Sequence, residues 1–309
     1  MVRDRDGPSQ RMVWFRATMP ACGTVPRMFR RFATRLRDFL VSPIHGDHFH
    51  AGVERRAVLH AHLAAADRYA DPRCLTRFGY RCTSQNDEDG IIDEIFRRIG
   101  TTNRQFVEFG VETGVENNTL QLLLAGWGGL WIEANSSAVQ TIRRNFAEPL
   151  AQQRLRVQEA FVTAEGIEEL LQRGGVPAEP DLVSIDIDGN DYWVWKALAQ
   201  FRPRVVVIEY NASLGRSARI VQPYDPRAVW DHASMAFGAS LGALEVLGQE
   251  KGYALVGCNL TGLNAFLVRH DCVGDRFLAP YTSAQHFEPP RYGPTGAGHP
   301  TRWARFEQV

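Results

Sequence analysis

Residues 106–133 read FVEFGVETGVENNTLQLLLAGWGGLWIE, and this stretch decides the fold. The apolar run Phe106–Phe109 stops at a loop that carries Gly110 and Gly114. A helix fits around 117–125, and a second apolar run, Leu130–Ile132, ends at Glu133. Strand, glycine loop, helix and strand in that order predict a βαβ unit with parallel strands and a right-handed crossover. The same rhythm continues downstream. Apolar runs at Leu155–Val157, Leu182–Ile187 and Val205–Ile208 alternate with helical segments around 136–146, 165–173 and 191–199. Such alternation predicts a doubly wound, mostly parallel, Rossmann-like α/β sheet. After a long helix near 236–251, Tyr253–Cys258 and Ala265–Arg269 lie too close for a crossover helix, so that pair is predicted antiparallel. The total is seven strands, the last of them antiparallel.

Upstream, Ser84 and Asp87 have the spacing of a capping box, and Ile91, Ile92, Ile95, Phe96 and Ile99 form one helical face that ends at Gly100. Residues 84–278 are therefore read as the main domain. Residues 1–27 lack a periodic apolar face and are read as a disordered tail; 28–83 are read as a helical N-terminal extension. In it, Met28, Phe29, Phe32, Leu36, Phe39 and Leu40 recur at helical spacing, opposite Arg30, Arg31, Arg35 and Arg37. Residues 28–40 could touch an anionic membrane surface peripherally or pack on the domain. A further helix is predicted from about Gly52 to Tyr69, ended by Asp71-Pro72. His45, His48 and His50 fit no standard metal spacing. Residues 279–309 are rich in Pro and Gly and are expected to wrap the surface.

Composition narrows the classes. Basic and acidic residues balance at 35 each, so no global electrostatic footprint for nucleic acid exists. No run approaches the roughly 18 apolar residues of a membrane span. The five cysteines form no CxxC pair, which supports neither a disulfide framework nor a structural zinc site and favours a reduced, cytoplasmic setting.

In an open α/β sheet the ligand lies beyond the carboxyl ends of the strands, near the point where strand order reverses. A dinucleotide loop would present bare amides to a pyrophosphate. Here Glu108 and Glu112 flank the loop, repelling phosphates and favouring a ligand with an ammonium and a sulfonium, namely S-adenosylmethionine. Glu133, at the end of the second strand, suits a ribose diol. Ala160 and Phe161, after the third strand, could flank an adenine ring or belong to the core.

The fourth strand ends Ser184-Ile185-Asp186-Ile187-Asp188-Gly189-Asn190-Asp191, and the fifth ends Ile208-Glu209-Tyr210-Asn211. Acids at the end of a buried strand are costly unless paired, hydrogen-bonded or metal-bound. Asp188, Glu209 and Asn211 are hard oxygen donors of the kind that hold Mg²⁺. Helix capping by Asp188 or Asn190, with Asp191 favouring the helix N-terminus, is the alternative. Asp188 or Asp191 could also accept a proton, as could His232, which lies in the insertion after the fifth strand.

At SQNDEDGII, FVEFGVETGVENNTLQLLLAGWGGLWIEAN, VSIDIDGNDYWVWKAL and VVVIEYNAS, the chain resembles FkbM-type and related class I S-adenosylmethionine-dependent methyltransferases, over about 84–270. The resemblance implies that Glu108, Gly110 and Gly114 frame the methionine half of the cofactor, with Glu112 and Asn118 in the same pocket. It also implies that Glu133 holds the ribose and that Asp186 closes the site near the methyl group. The acids after strands four and five are similar to those of Mg²⁺-dependent sugar O-methyltransferases. O-methylation of a sugar, glycan or related metabolite is the function implied, with a small-molecule or glycan acceptor and a homodimer among the open oligomeric states. A nucleotide-dependent Rossmann enzyme and a non-catalytic binding module are the competing readings.

Overall fold

The computed structural model describes residues 66–291, 302 and 304–309. The chain divides into two units, 1–56 and 57–309, and all described residues belong to the second. The expected tail, the amphipathic segment 28–40, the three histidines and most of the helix predicted for 52–69 lie outside the described residues. Of that last helix, Asp67–Tyr69 forms a single 3-10 turn.

The strands are β1 (Gln105–Phe109), β2 (Gly128–Glu133), β3 (Leu155–Glu159), β4 (Leu182–Ile185), β5 (Val205–Glu209), β6 (Ile220–Val221), β7 (Tyr253–Cys258), β8 (Asn264–Arg269) and β9 (Glu307–Gln308). Seven of them form one sheet in the order β3-β2-β1-β4-β5-β8-β7, while β6 and β9 pair separately. The first five are mutually parallel, and β8 runs antiparallel to both β5 and β7, as the short connection required. Central parallel strands are covered on both faces, which is why β5, Val-Val-Val-Ile-Glu, is buried at every position. Strand order reverses between β1 and β4, so the loops leaving those two strands open the crevice where a ligand lies.

The helices that matter are α1 (Glu88–Ile99), α2 (Leu120–Leu124), α3 (Ser136–Asn145), α4 (Ile167–Arg173), α5 (Asp191–Ala197) and α6 (Leu241–Lys251). Ile167 and Leu171 of α4, Trp195 of α5 and Leu244 of α6 pack on Val107, Leu130, Val183 and Ile208 in one core.

Three expectations need correcting. The Ser84/Asp87 capping box does not form: the Asp89 carboxylate accepts from the amides of Cys82, Thr83 and Ser84, and Asp87 accepts from the amide of Leu260. Helix α6 starts at Leu241 instead of 236, because Asn211 Nδ2 donates to the carbonyls of Met235 and Phe237 and keeps that stretch out of the helix. The segment after 278 does more than wrap the surface. Glu288, 1% exposed, accepts from Tyr69 Oη (2.8 Å) and pairs with Arg68 (2.9 Å) and Arg291 (2.8 Å). Its backbone carbonyl takes the hydroxyl of buried Tyr210.

Among the described residues no helix is long and apolar enough to cross a membrane.

Candidate functional site

The loop after β1 is shaped by contacts that leave no room for side chains. Gly110 has φ +71°, and a Cβ there would stand 1.8 Å from the carbonyl oxygen of Asp186. Its glycine is thus demanded by the β4 loop pressing on it. Glu112 also has positive φ, +48°. That turn aims its amide at Glu133 Oε2 (2.8 Å), while Asn135 N donates to Glu133 Oε1 (2.8 Å). Glu133, almost buried at the tip of β2, is therefore held in one orientation by two amides. The exposed carboxylate of Glu112 is spectator to this; its backbone is what the site uses.

Glu108 acts through the chain itself. Its carboxylate accepts from the amides of Asn118 (2.8 Å) and Thr119 (3.0 Å) and from Thr119 Oγ1 (2.5 Å). Asn118 Nδ2 in turn reaches Ser184 Oγ on β4 (3.1 Å). Burial pushes the Glu108 carboxyl up to about 7, with these donors opposing the rise. Because these bonds fix 117–119 as a loop, α2 begins only at Leu120. Gly114, φ +77°, lies against Trp131 and Phe146, so packing explains it. After β3, the amide of Ala160 binds the Glu133 carbonyl, and Phe161 presents a ring that is 50% exposed.

Beyond β4 the acids separate into distinct environments. Asp191, fully buried at the start of α5, accepts from the amides of Ile187 and Gly189 (2.9 Å each) and so clamps the loop between. Asp186, Asp191 and Glu209 converge: one oxygen of each lies within 4.8 Å of the others. Burial raises the Asp186 and Glu209 carboxyls well above the usual range, and repulsion from their acidic neighbours adds to it. Burial likewise lifts Asp191 to about 6.

This convergence changes the metal-ligand set expected from sequence. Glu209 stays and Asp186 and Asp191 join it. Asp188 stands outside the converging set, exposed on the loop with φ +55°. Asn211 is committed to structure: besides its two donations to the insertion, its Oδ1 accepts from Ser213 N (3.2 Å). Two buried carboxylates and one partly buried one suit a hard dication, so the residues present fit Mg²⁺.

His232 is exposed, has φ +51° and lies against Trp230, with ring centroids 4.5 Å apart and planes tilted by 57°. Burial raises the carboxyl of Asp188, and the neighbouring His232 opposes that rise.

The sequence reading missed a polar platform beside the acids. Glu88, fully buried, accepts from Asn259 Nδ2 (2.7 Å), Asn264 Nδ2 (3.0 Å) and Asn86 N (2.8 Å). The signal was present as three successive acids, Asp87-Glu88-Asp89, at the head of an apolar helix; solvated N-terminal acids do not have buried neighbours on both sides.

No protein-family model and no curated protein matches this chain. Among solved structures, a Staphylococcus aureus protein described as a caffeoyl-CoA O-methyltransferase overlaps 78% of this chain and 99% of its own, at 14% identity and a TM-score of 0.41. A Klebsiella pneumoniae protein described as an O-methyltransferase overlaps 70% and 99%, at 18% identity and a TM-score of 0.40. The precorrin-6y C5,15-methyltransferase of Geobacter metallireducens overlaps 62% and 92%, at 14% identity and a TM-score of 0.35. At this level of overlap the likenesses add nothing to the strand order, and function must be read from the site.

Proposed function

We propose that this protein is an S-adenosylmethionine-dependent O-methyltransferase acting on a hydroxyl of a sugar, glycan or related metabolite. One observation carries the reading: the crevice gathers Asp186, Asp191, Glu209 and Glu133, and among the described residues no lysine or arginine stands among the charges that bear most strongly on the first three. Such a crevice repels phosphates and welcomes a cationic ligand, which is the distinction between a sulfonium cofactor and a pyrophosphate one.

When bound, S-adenosylmethionine supplies an electrophilic methyl group. The chain's residues bind and orient. Glu133, pre-aligned by two amides, accepts from a ribose diol, and the Phe161 ring offers a face to the adenine. The loop fixed by Glu108 shapes the methionine end. Asp188 or His232, at the mouth, takes the proton of the acceptor hydroxyl, a role that needs hydrogen-bond reach to that oxygen. Mg²⁺ fits Asp186, Asp191 and Glu209, where it would polarise an acceptor oxygen.

Isothermal titration with S-adenosylhomocysteine and, separately, with a nicotinamide dinucleotide tests the reading. Heat is expected with the first alone. Heat with the dinucleotide alone would reassign the protein to nucleotide chemistry, and heat with neither would make it a binding module of this fold.

A further inference from the structure

The strand pair β5–β8 places Glu209 directly opposite Asn264. Directly opposed residues of an antiparallel pair put their side chains on one face, with Cβ atoms about 4.5–5.5 Å apart. Asn264 therefore stands beside Glu209 at the edge of the converging carboxylates. Its orientation is set by Glu88. The Glu88 carboxylate accepts Asn264 Nδ2 at 3.0 Å, an acceptor-only partner that must face the amide nitrogen, so Oδ1 is turned the other way. Glu88 itself is held by Asn259 and by the amide of Asn86, and its charge bears on Asp186, which puts this platform alongside the cluster.

Asn264 is 2% exposed, and among the described residues its Oδ1 has no hydrogen-bond partner. A buried carbonyl oxygen without a donor costs about 1–3 kcal/mol. The chain has nonetheless built a device to aim this oxygen, in which Glu88, the first residue of α1, fixes the Asn264 side chain at the start of β8, 176 residues further along. What Oδ1 lacks is an electropositive partner, and a cation held by the neighbouring carboxylates would supply one.

We propose that Asn264 Oδ1 is a ligand to a hard divalent cation held by Asp186, Asp191 and Glu209, with Glu88 as the residue that positions it. Four protein oxygens from β4, α5, β5 and β8 would leave the remaining octahedral positions to water or to an acceptor oxygen, the usual division for Mg²⁺ or Mn²⁺. The inference rests on the methyltransferase reading only for the use made of the cation, because cation binding and cofactor binding are measured apart.

The test uses the full chain, freed of metal with chelator and dialysed. Mn²⁺ is titrated and the free ion followed by its electron paramagnetic resonance signal; S-adenosylhomocysteine heats are recorded on the same samples. One competable Mn²⁺ per chain, displaced by Mg²⁺, is expected for the parent. Asn264→Leu keeps the branched shape and removes the oxygen, and should weaken Mn²⁺ roughly tenfold or more while retaining the S-adenosylhomocysteine heat. Asn264→Asp restores an oxygen and should bind Mn²⁺ at least as well as the parent. A parent chain that binds S-adenosylhomocysteine but no Mn²⁺ overturns the cation proposal and leaves the methyltransferase reading standing. Mn²⁺ binding without any cofactor heat does the reverse. Unchanged Mn²⁺ affinity in Asn264→Leu removes Asn264 from the site. Should that variant fail to fold, Asn264→Asp decides, since lost Mn²⁺ affinity there marks Asn264 as structural only.

Discussion

Glu133 and Asp181 are both carboxylates at strand ends of the same sheet, and their hydrogen bonds assign them opposite duties. Glu133, at the carboxyl end of β2, accepts two amides, one on each carboxylate oxygen, and each oxygen has a further lone pair. Replacing it by Ala should weaken S-adenosylhomocysteine binding by about 1–3 kcal/mol, since a sequestered diol loses its acceptor. An unaltered dissociation constant in titration would take Glu133 out of the site. Asp181, just before β4 at the opposite end, is saturated: the amides of Thr102, Asn103 and Arg104, Thr102 Oγ1 and the Arg204 guanidinium all converge on it. Burial opposes its ionisation, but the donors outweigh burial and hold the carboxyl below its ordinary value of 3.8. A depressed folded value means that the stabilisation is complete above the unfolded value and disappears as pH falls through the folded one. Asp181→Ala should therefore lose about 3–5 kcal/mol at pH 7, because Arg204 is left buried and uncompensated. Urea titrations of both proteins should show that gap narrowing below about pH 4; a gap constant from pH 7 to pH 3 would contradict the ion-pair account.

Elements whose sequence has a period were legible; elements set by distant partners were not. The seven strands are found where apolar runs predicted them, because burial on both faces demands uninterrupted Val, Ile and Leu. The start of α6 was misread because the carbonyls of Met235 and Phe237 are captured by Asn211, a residue on another element, which no local pattern discloses. The acidic cluster is hidden for the same reason: Asn211 looks like a ligand in a linear motif, whereas Asp186 and Asp191 meet Glu209 only through the β4–β5 register. The short helix Ser283–His286 shows the effect in a segment read as surface wrapping. It ends in His286, 6% exposed, whose imidazole burial pushes down to about 4, with Arg68 nearby adding to the effect. A histidine kept neutral in the fold destabilises it once the unfolded chain protonates. Stability should hold above pH 6.5 and fall between 6.5 and about 4, by up to about 1.4 kcal/mol for each pH unit. His286→Phe should flatten that limb in melting experiments at pH 7, 6 and 5. Parallel pH dependence in parent and variant would place the titrating group elsewhere.

The largest feature invisible to sequence reading joins the end of the described chain to the insertion that carries His232. The two-residue strands β6 and β9 pair antiparallel, Ile220 with Gln308 and Val221 with Glu307, and Val309 N donates to the Arg219 carbonyl at 2.9 Å. Strands this short have no detectable alternation, so only the fold reveals them. Arg302 adds a second tie: its carbonyl accepts from Met235 N (3.0 Å), and its guanidinium meets Asp231 Oδ2 at 2.6 Å. Asp231 Oδ1 accepts from the amides of Ala233 and Ser234, closing the turn that holds His232 at positive φ. The same insertion reaches back to the sheet, where Asn190 Nδ2 donates to the Asp225 carbonyl and Tyr224 Oη accepts from Ala164 N. Arg302 and residues 307–309 thus bind the wall that carries His232, and among the described residues their hydrogen bonds stay on that wall. The consequence is a separation of effects. A chain ending at residue 301 should keep its affinity for S-adenosylhomocysteine, since the proposed cofactor contacts lie at the ends of β1, β2 and β3. Its amides over 219–221 and at Met235 should lose protection in hydrogen exchange, because each loses a partner or the edge that shielded it. Amides of β1, β4 and β5 should exchange as before. If the 219–238 peptides exchange identically in both chains, the terminal segment does not hold this wall, and the turn of His232 is stable on its own local bonds to Asp231.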